Sequence, residues 1–435
     1  MASKWRQVSL GEVSDLLVGY PFKSALYSEN PSSPHLLRGD NIGQGTLRWD
    51  NAKRWDLPNG DAVSLQRYWL SEGDVVLAMD RPWIEAGLKY ARVRATDRPS
   101  LLVQRVARLR GTSACDGRYL VFVVGSTAFS QFVQQVQTGT AVPHISASQV
   151  QSFRFLLPSL PEQRAIAHIL GTLDDKIDLN RQMSATLEAM ARALFESWFV
   201  RFDPVRAKAE GRDTQLPADI AALFPDSFEM SEIGEVPKGW VGSYGQIAAE
   251  RSERVGNANV TVMSAVASSE LVRSDDHFTK RVYSKDLSKY KRVYPEDFAY
   301  NPSRINIGSV GLHTGDGLGA VSPVYVVVTP RQEWHWFLQL HLTLAQTKEQ
   351  ILTLSSGSVR QSLDCSSFMS IPCVQPSDRV VAAFNGLTSS YRAKVASVVD
   401  ESQTLTALRD TLLPRLISGD LRVPDAERFL VDAGV

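Results

Sequence analysis

Along two stretches of the chain, apolar residues recur at alternating intervals of four and three. The first stripe runs Ile166, Leu170, Leu173, Ile177, Leu187, Ala191, Leu194, Trp198, with Asn180 and Ser184 as polar interruptions. The second runs Phe384, Thr388, Tyr391, Val395, Val398, Ser402, Leu405, Arg409, Leu412, Leu416. This spacing predicts coiled-coil seams, and polar residues within a seam fix register. A helix of about 38 residues would be roughly 57 Å long. Alone it would expose its stripe, and the simplest partner for each helix is the other. Ser159, Pro161 and Glu162 form an amino-terminal capping signature for the first, and Ser377 caps the second. The first is predicted to run out near Phe202-Asp203-Pro204, and Pro414 and Gly419 mark the end of the second.

The two stripes belong to a longer repeat. A shift of 218 positions carries Gly139-Thr140 onto Gly357-Ser358, Ile145 onto Leu363, Val150 onto Phe368, Phe153 onto Ile371 and Pro158-Ser159 onto Pro376-Ser377. It continues without a gap through Leu187 to Leu405, Met190 to Leu408, Leu194 to Leu412 and Trp198 to Leu416. Upstream, Val133 and Val136 fall on Ile351 and Leu354, and Trp5 through Val13 loosely matches Trp240 through Ile247 after a one-residue slip. A hydrophobic pattern held in register over that length predicts a repeated structural unit. Ahead of each helix lies a mixed segment, roughly 1–157 and 237–375. Strand-like runs (Asp74 to Ala78, Ser322 to Val328) alternate there with turns, and helical stretches fall near 127–137 and 337–354. Each is the size of one α/β domain. The polar segment 203–236 reads as a linker.

With 435 residues, 43% hydrophobic and 22% charged, the chain has the composition of a soluble protein of two or three domains. The amino terminus lacks the apolar core of a signal peptide, and no apolar run is long enough to span a bilayer. Three cysteines, Cys115, Cys365 and Cys373, without a C-x-x-C pair fit a reducing cytoplasm. A formal net charge of zero counts against a stand-alone nucleic-acid binder. Two runs are nevertheless basic: Lys89, Arg92, Arg94, Arg98, Arg105, Arg108, Arg110; and Lys280, Arg281, Lys285, Lys289, Lys291, Arg292, interleaved with Tyr283, Tyr290 and Tyr294. Each run alone reads equally well as a solvated face.

Signatures of catalysis are missing. Asn301-Pro302-Ser303-Arg304 lacks the second proline and the aromatic platform of an adenine methyltransferase loop, and reads as a turn after a strand near Phe298-Ala299-Tyr300. Gly315-Asp316-Gly317-Leu318-Gly319 fits neither a dinucleotide fingerprint nor a P-loop and reads as a flexible loop. His335 and His341 sit among aromatic and apolar residues and read as structural, not as metal ligands. Asp174-Asp175 lies on the first long helix, where a solvated or partner-facing role outweighs nuclease chemistry. No catalytic and no metal-binding residue is assigned.

The strings Leu157-Pro158-Ser159-Leu160-Pro161-Glu162-Gln163-Arg164-Ala165-Ile166, Leu173-Asp174-Asp175-Lys176-Ile177 and Leu194 through Pro204 (LFESWFVRFDP) resemble the central conserved region of type I restriction-modification specificity subunits. Leu412 through Leu421 (LLPRLISGDL) resembles that family's carboxy-terminal counterpart. The resemblance implies an α+β fold: two α/β target-recognition domains in pseudo-two-fold arrangement, separated by two long antiparallel helices forming a coiled coil. The segments would be a first recognition domain (1–157), a central long helix (158–202), a linker (203–236), a second recognition domain (237–375), a carboxy-terminal long helix (376–420) and a tail (421–435).

The implied role is a non-catalytic subunit that reads a bipartite, asymmetric target in double-stranded DNA. Two methyltransferase and two restriction/translocase subunits would assemble with it. They would bring S-adenosylmethionine, ATP and Mg, so this chain needs no cofactor, and they would supply much of the phosphate-binding surface. Base reading calls for Arg, Lys, Asn and Gln in loops. The candidates are Arg81, Lys89, Asn301, Arg304 and Asn306, with His144, Arg360 and Gln361 in the matched loops after Gly139 and Gly357. Helix pairing falls to Ile166, Leu170, Leu173, Ile177, Leu187, Leu194, Trp198, Tyr391, Val395, Val398, Leu405, Leu412 and Leu416. The rival readings are a DNA adenine methyltransferase or fused restriction-methylation enzyme with catalysis in this chain, and a coiled-coil interaction protein unrelated to DNA.

Overall fold

A computed structural model describes residues 5–57, 64–84, 86–139, 142–256, 258–266, 270–278, 280–355 and 362–432. The chain divides into two compact units, Met1–Gln182 with Val398–Val435, and Met183–Ser397. Among the described residues no helix is long and apolar enough to cross a membrane.

In the first unit, strand Arg6–Ser9 pairs antiparallel with Arg154–Leu157 and leads into a one-turn helix, Leu10–Val13, closed by a Ser9/Glu12 capping box. An antiparallel sheet follows in the order Ser14–Val18, Val106–Gly111, Val75–Ala78, Tyr90–Arg92, and a separate parallel pair joins His35–Leu37 to Ser100–Leu102. The central strand is apolar at every position because both its faces are covered. Val75 and Leu77 pack with Tyr119, Leu120 and Phe129, whereas Val76 and Ala78 face a second core with Leu37 and Leu102.

The second unit repeats this plan. Val241–Ser243 pairs with Pro372–Val374, and a Ser243/Gln246 box closes helix Tyr244–Ile247. The sheet order is Ala248–Arg251, Val326–Pro330, Phe298–Tyr300, Val310–Leu312. A parallel pair, Thr261–Ala265 and Gly319–Val321, recurs with two flanking strands added. The strand expected from Ser322 begins at Val326, since Ser322 to Tyr325 forms a turn, and the glycine-rich loop ends where Gly319 enters a strand. Helices Gly117–Val124, Thr127–Val136 and Ala147–Ser152 correspond at the constant shift of 218 to His335–Thr343, Ala345–Leu354 and Cys365–Met369.

Both long helices form, Leu160–Phe199 and Asp378–Ser418. In the first unit Ile166, Leu170, Leu173 and Ile177 share one core with Leu405, Leu412 and Leu416. Arg409 donates to Asp174 at 3.0 Å and Asn180 to Glu401 at 2.9 Å, so numbers rise on one helix as they fall on the other. The pair is antiparallel. Burial pushes the Asp174 carboxyl above its ordinary pKa, and Arg409 opposes this only in part. In the second unit Phe195 and Trp198 pack on Phe384, with ring centroids 5.9 and 6.1 Å apart, and Leu194 lies beside that core. Val398 is buried, whereas Leu187, Tyr391 and Val395 are half-buried. Pro414 does not end the second helix, which runs on to Ser418. It stops at Gly419, whose φ of +82° suits glycine, and Leu421 N–H closes onto the Arg415 carbonyl at 2.9 Å.

Each helix start is bolted to its own domain. The buried amide of Gln163 donates to the carbonyls of Ala114 (3.1 Å) and Pro158 (3.0 Å) and accepts from Asp116 N–H at 2.8 Å. In the second unit Asp378 accepts from Arg331 (2.6 Å) and Trp334 (2.8 Å). The segment 203–236 carries structure of its own: helix Asp203–Ala209, a short helical turn, and a hairpin of Phe228–Ser231 with Gly234–Pro237. Its Val205, Phe224 and Val236 are buried, and Phe224 meets Trp198 edge-on at 4.9 Å.

One core position differs in kind between the repeats. Leu10, Val123 and Phe129 of the first unit correspond to Tyr244, His341 and Thr347 of the second, all of them buried. His341 Nδ1 lies 2.8 Å from Tyr244 Oη and 3.1 Å from Thr347 Oγ1. Burial lowers the His341 pKa from 6.5 to about 4. The folded state therefore holds it neutral where the unfolded chain takes up a proton. The stability this contributes is complete above pH 6.5 and is lost as pH falls toward 4, by on the order of 3 kcal/mol. Thermal melts between pH 7 and pH 4 should show this loss. The variant Tyr244→Leu/His341→Val/Thr347→Phe, which installs the first unit's residues, should flatten the profile. Equal acid slopes for the two proteins would rule the explanation out.

Candidate nucleic-acid interface

The central strand of each sheet ends in a loop held by equivalent backbone bonds. In the first unit Ala78 N–H donates to the Lys89 carbonyl (3.0 Å) and Ile145 N–H to the Met79 carbonyl (2.9 Å). In the second, Asn301 N–H donates to Ser309 (3.0 Å) and Leu363 N–H to Pro302 (3.1 Å). The loop leaving the strand is thus laced to the loop entering the short helix, Ala147–Ser152 or Cys365–Met369.

Arg81, Lys89 and His144 come together at this place in the first unit. Arg81 N–H donates to Pro143 at 2.8 Å, and Thr138 and His144 exchange two backbone bonds of 2.8 Å. The His144 ring bonds Asp80, which also faces Arg105 at 3.5 Å. Lys89 is buried; burial lowers its pKa, Asp40 opposes the shift and Arg81 adds to it. Arg81 is exposed, with a φ of +45°. In the second unit Asn301, Arg304 and Asn306 share the corresponding loop. Asn301 Oδ1 accepts from Ser303 N–H at 3.1 Å, an Asx turn that shapes the bend. Buried Ile305 anchors the turn Ile305–Ile307, leaving Arg304 exposed and Asn306 half-buried. Arg360 and Gln361 lie outside the described residues.

The two basic runs have different fates. Most of the first is spent inside its own unit. Arg108 is buried and bonds Asp15 at 2.6 Å, Arg110 bonds buried Asp74, Arg92 reaches Asp175 at 3.5 Å, and Arg94 pairs with Asp178. In the second run Arg292 pairs with Glu253 at 2.7 Å and Lys291 is buried near Glu250. Lys280, Arg281, Lys285 and Lys289 stay exposed, with Arg281 lying over the Tyr283 ring at 4.5 Å. Sequence reasoning did not mark Asp80, and it marked Arg105 only as one cation of a basic run and Gln163 only within a family string. A signal did exist for the buried acids Asp74 and Asp297. Each stands immediately before a central strand and accepts from the backbone N–H three residues back, Ser71 (2.8 Å) or Tyr294 (2.9 Å). Among the described residues, no three His, Cys, Asp or Glu side chains are grouped so as to hold a metal.

A family model described as the type I restriction modification DNA specificity domain matches residues 2–189. The chain is 26% identical to the type I restriction enzyme HindI specificity subunit of Haemophilus influenzae, over 96% of this chain and 100% of that one. It is 34% identical to the EcoAI specificity subunit of Escherichia coli over 38% of this chain and 27% of the relative. Among solved structures, the S subunit of a type I restriction-modification system from M. genitalium superposes with a TM-score of 0.54 at 12% identity, covering 95% of this chain and 96% of that one. That likeness is one of fold.

The Asp80–His144 contact braces the first loop. Replacing Asp80 with Ala should raise amide exchange at Arg81 and His144 about tenfold, from a loss of roughly 1.4 kcal/mol, and leave the long-helix amides unchanged. Hydrogen exchange read by mass spectrometry measures this; unchanged loop protection would show that the backbone bonds suffice alone.

Proposed function

Because a type I specificity-domain model matches residues 2–189 and the chain is similar along its length to specificity subunits, we propose that it is a specificity subunit of a type I restriction enzyme and recognises DNA sequence for that complex. It has no catalytic role of its own. Each unit reads one half of a split target, and because the two reading loops differ in sequence the half-sites differ as well. The observation that carries this reading is the laced loop at the end of each central strand, built by the same backbone bonds yet lined by different side chains. The antiparallel helices set the gap between half-sites and give modification subunits a surface to dock on. Two modification and two restriction/translocase subunits complete the assembly in the cytoplasm and bring S-adenosylmethionine, ATP and Mg. A net charge of zero fits a subunit whose partners share the phosphate contacts. Within this chain that share falls to the exposed Lys280, Arg281, Lys285 and Lys289, since phosphate contacts position without specifying sequence.

The test is to purify the chain with its modification subunit and map the adenines that the complex methylates. The expected outcome is one two-part motif with a fixed gap, and replacing residues 237–375 should change only one part of it. Methylation without sequence preference, or methyl transfer by this chain alone, would contradict the proposal.

A further inference from the structure

Six of the candidate reading residues lie in described loops, and four of them have their side chains occupied or covered. Lys89 is buried, His144 bonds Asp80, Asn301 is spent on its own turn, and Asn306 is already engaged. Arg81 and Arg304 are different. Both are exposed, and among the described residues neither has an ion-pair or side-chain hydrogen-bond partner.

The two arginines also stand at the same distance along the chain from an equivalent backbone bond, although their backbone angles differ, with φ of +45° at Arg81 and −138° at Arg304. The clamped carbonyl is that of Met79 in one unit and Pro302 in the other, and the second residue beyond it is arginine in both. Around them the chemistry diverges. Asp80 and His144 flank Arg81, whereas Asn301 and Ser303 flank Arg304. Arg81 holds a φ of +45°, where glycine is at ease and a long side chain is not, yet the chain carries arginine there. A phosphate clamp gathers cations. Here Lys89 beside Arg81 is buried and Arg105 is paired with Asp80 at 3.5 Å, and in the other loop the residues flanking Arg304, Ser303 and Ile305, are neutral. A single planar guanidinium offering two parallel donors matches O6 and N7 of one guanine.

Resting on the DNA-reading role proposed above, we infer that Arg81 and Arg304 are matched specificity residues, each reading one guanine in its own half of the target. The complex with the modification subunit is assembled with wild-type chain, Arg81→Gly or Arg304→Ala, and methylation is mapped across a randomised target library at several salt concentrations. Glycine suits the backbone at position 81, so that variant separates reading from folding. Each variant should relax one guanine position in one half-site, with a roughly ten- to hundred-fold loss of discrimination there, and leave the other half and the salt slope unchanged. Uniform weakening with a shallower salt dependence would make these phosphate contacts and overturn the inference. So would relaxation in both halves from one substitution, or an unchanged motif. Wild-type complex that shows no motif at all would instead sink the DNA-reading role itself.

Discussion

Each unit depends on a seam in which one stripe of a long helix is buried against the other helix and against the domain that precedes it. Ile166, Leu170, Leu173 and Ile177 belong to the same core as Val75, Leu77 and Tyr119, so sheet, short helices and seam form one packed body. Each buried leucine or isoleucine contributes on the order of 1.5–3 kcal/mol relative to exposure. A lone helix of 40 residues with this stripe open to water would have no such support. Gln163 and Asp378 then fix where each helix leaves its domain.

Much of this was legible in the pattern of residues. The 4-3 stripe and the shift of 218 located both long helices and the correspondence between the halves. Of the shorter helices only Thr127–Val136 was expected as it stands, whereas the stretch near 337–354 divides into His335–Thr343 and Ala345–Leu354, and Gly117–Val124, Ala147–Ser152 and Cys365–Met369 were not foreseen. The loops after the central strands were harder to match. The central strands Val75–Ala78 and Phe298–Tyr300 are related by a shift of 223 in place of 218, because the second unit is shorter between its central strand and first helix. Arg81 and Arg304 were each noticed as loop residues, but their equivalence becomes visible only through the backbone bonds. Lys89 was hidden for another reason: a lysine in a basic run gives no sign that it is buried between two short strands, Gly87–Leu88 and Tyr90–Arg92. Pro414 was read as a stop, yet its missing N–H is tolerated in the last turns of the helix. The segment 203–236 owes its order to a few apolar residues too far apart to form a period.

Charge distribution follows the same logic of use inside the fold. A run of seven cations looks like a phosphate-binding stripe until its acids, Asp15, Asp74, Asp175 and Asp178, are found elsewhere in the sequence. Arg92 and Arg94 tie the first sheet to the long helix, and Arg108 and Arg110 tie strands together. Those guanidiniums stabilise geometry and are not available to a partner. In the second unit the basic run falls ahead of the central strand, and its first four cations, Lys280, Arg281, Lys285 and Lys289, remain in water.

The shift between the repeats falls from 234 at the first sheet strands to 223 at the central strands and then stays at 218 from Gly117 to the ends of the long helices. Insertions and deletions have therefore been absorbed before that point and not after it. One residue added within Leu160–Phe199 would rotate everything downstream by about 100° and turn the stripe away from its partner, whereas one added ahead of Gly117 only lengthens a loop. The molecule separates a part that tolerates changes of length from a part that does not, and the arginines presented after the central strands lie in the tolerant part.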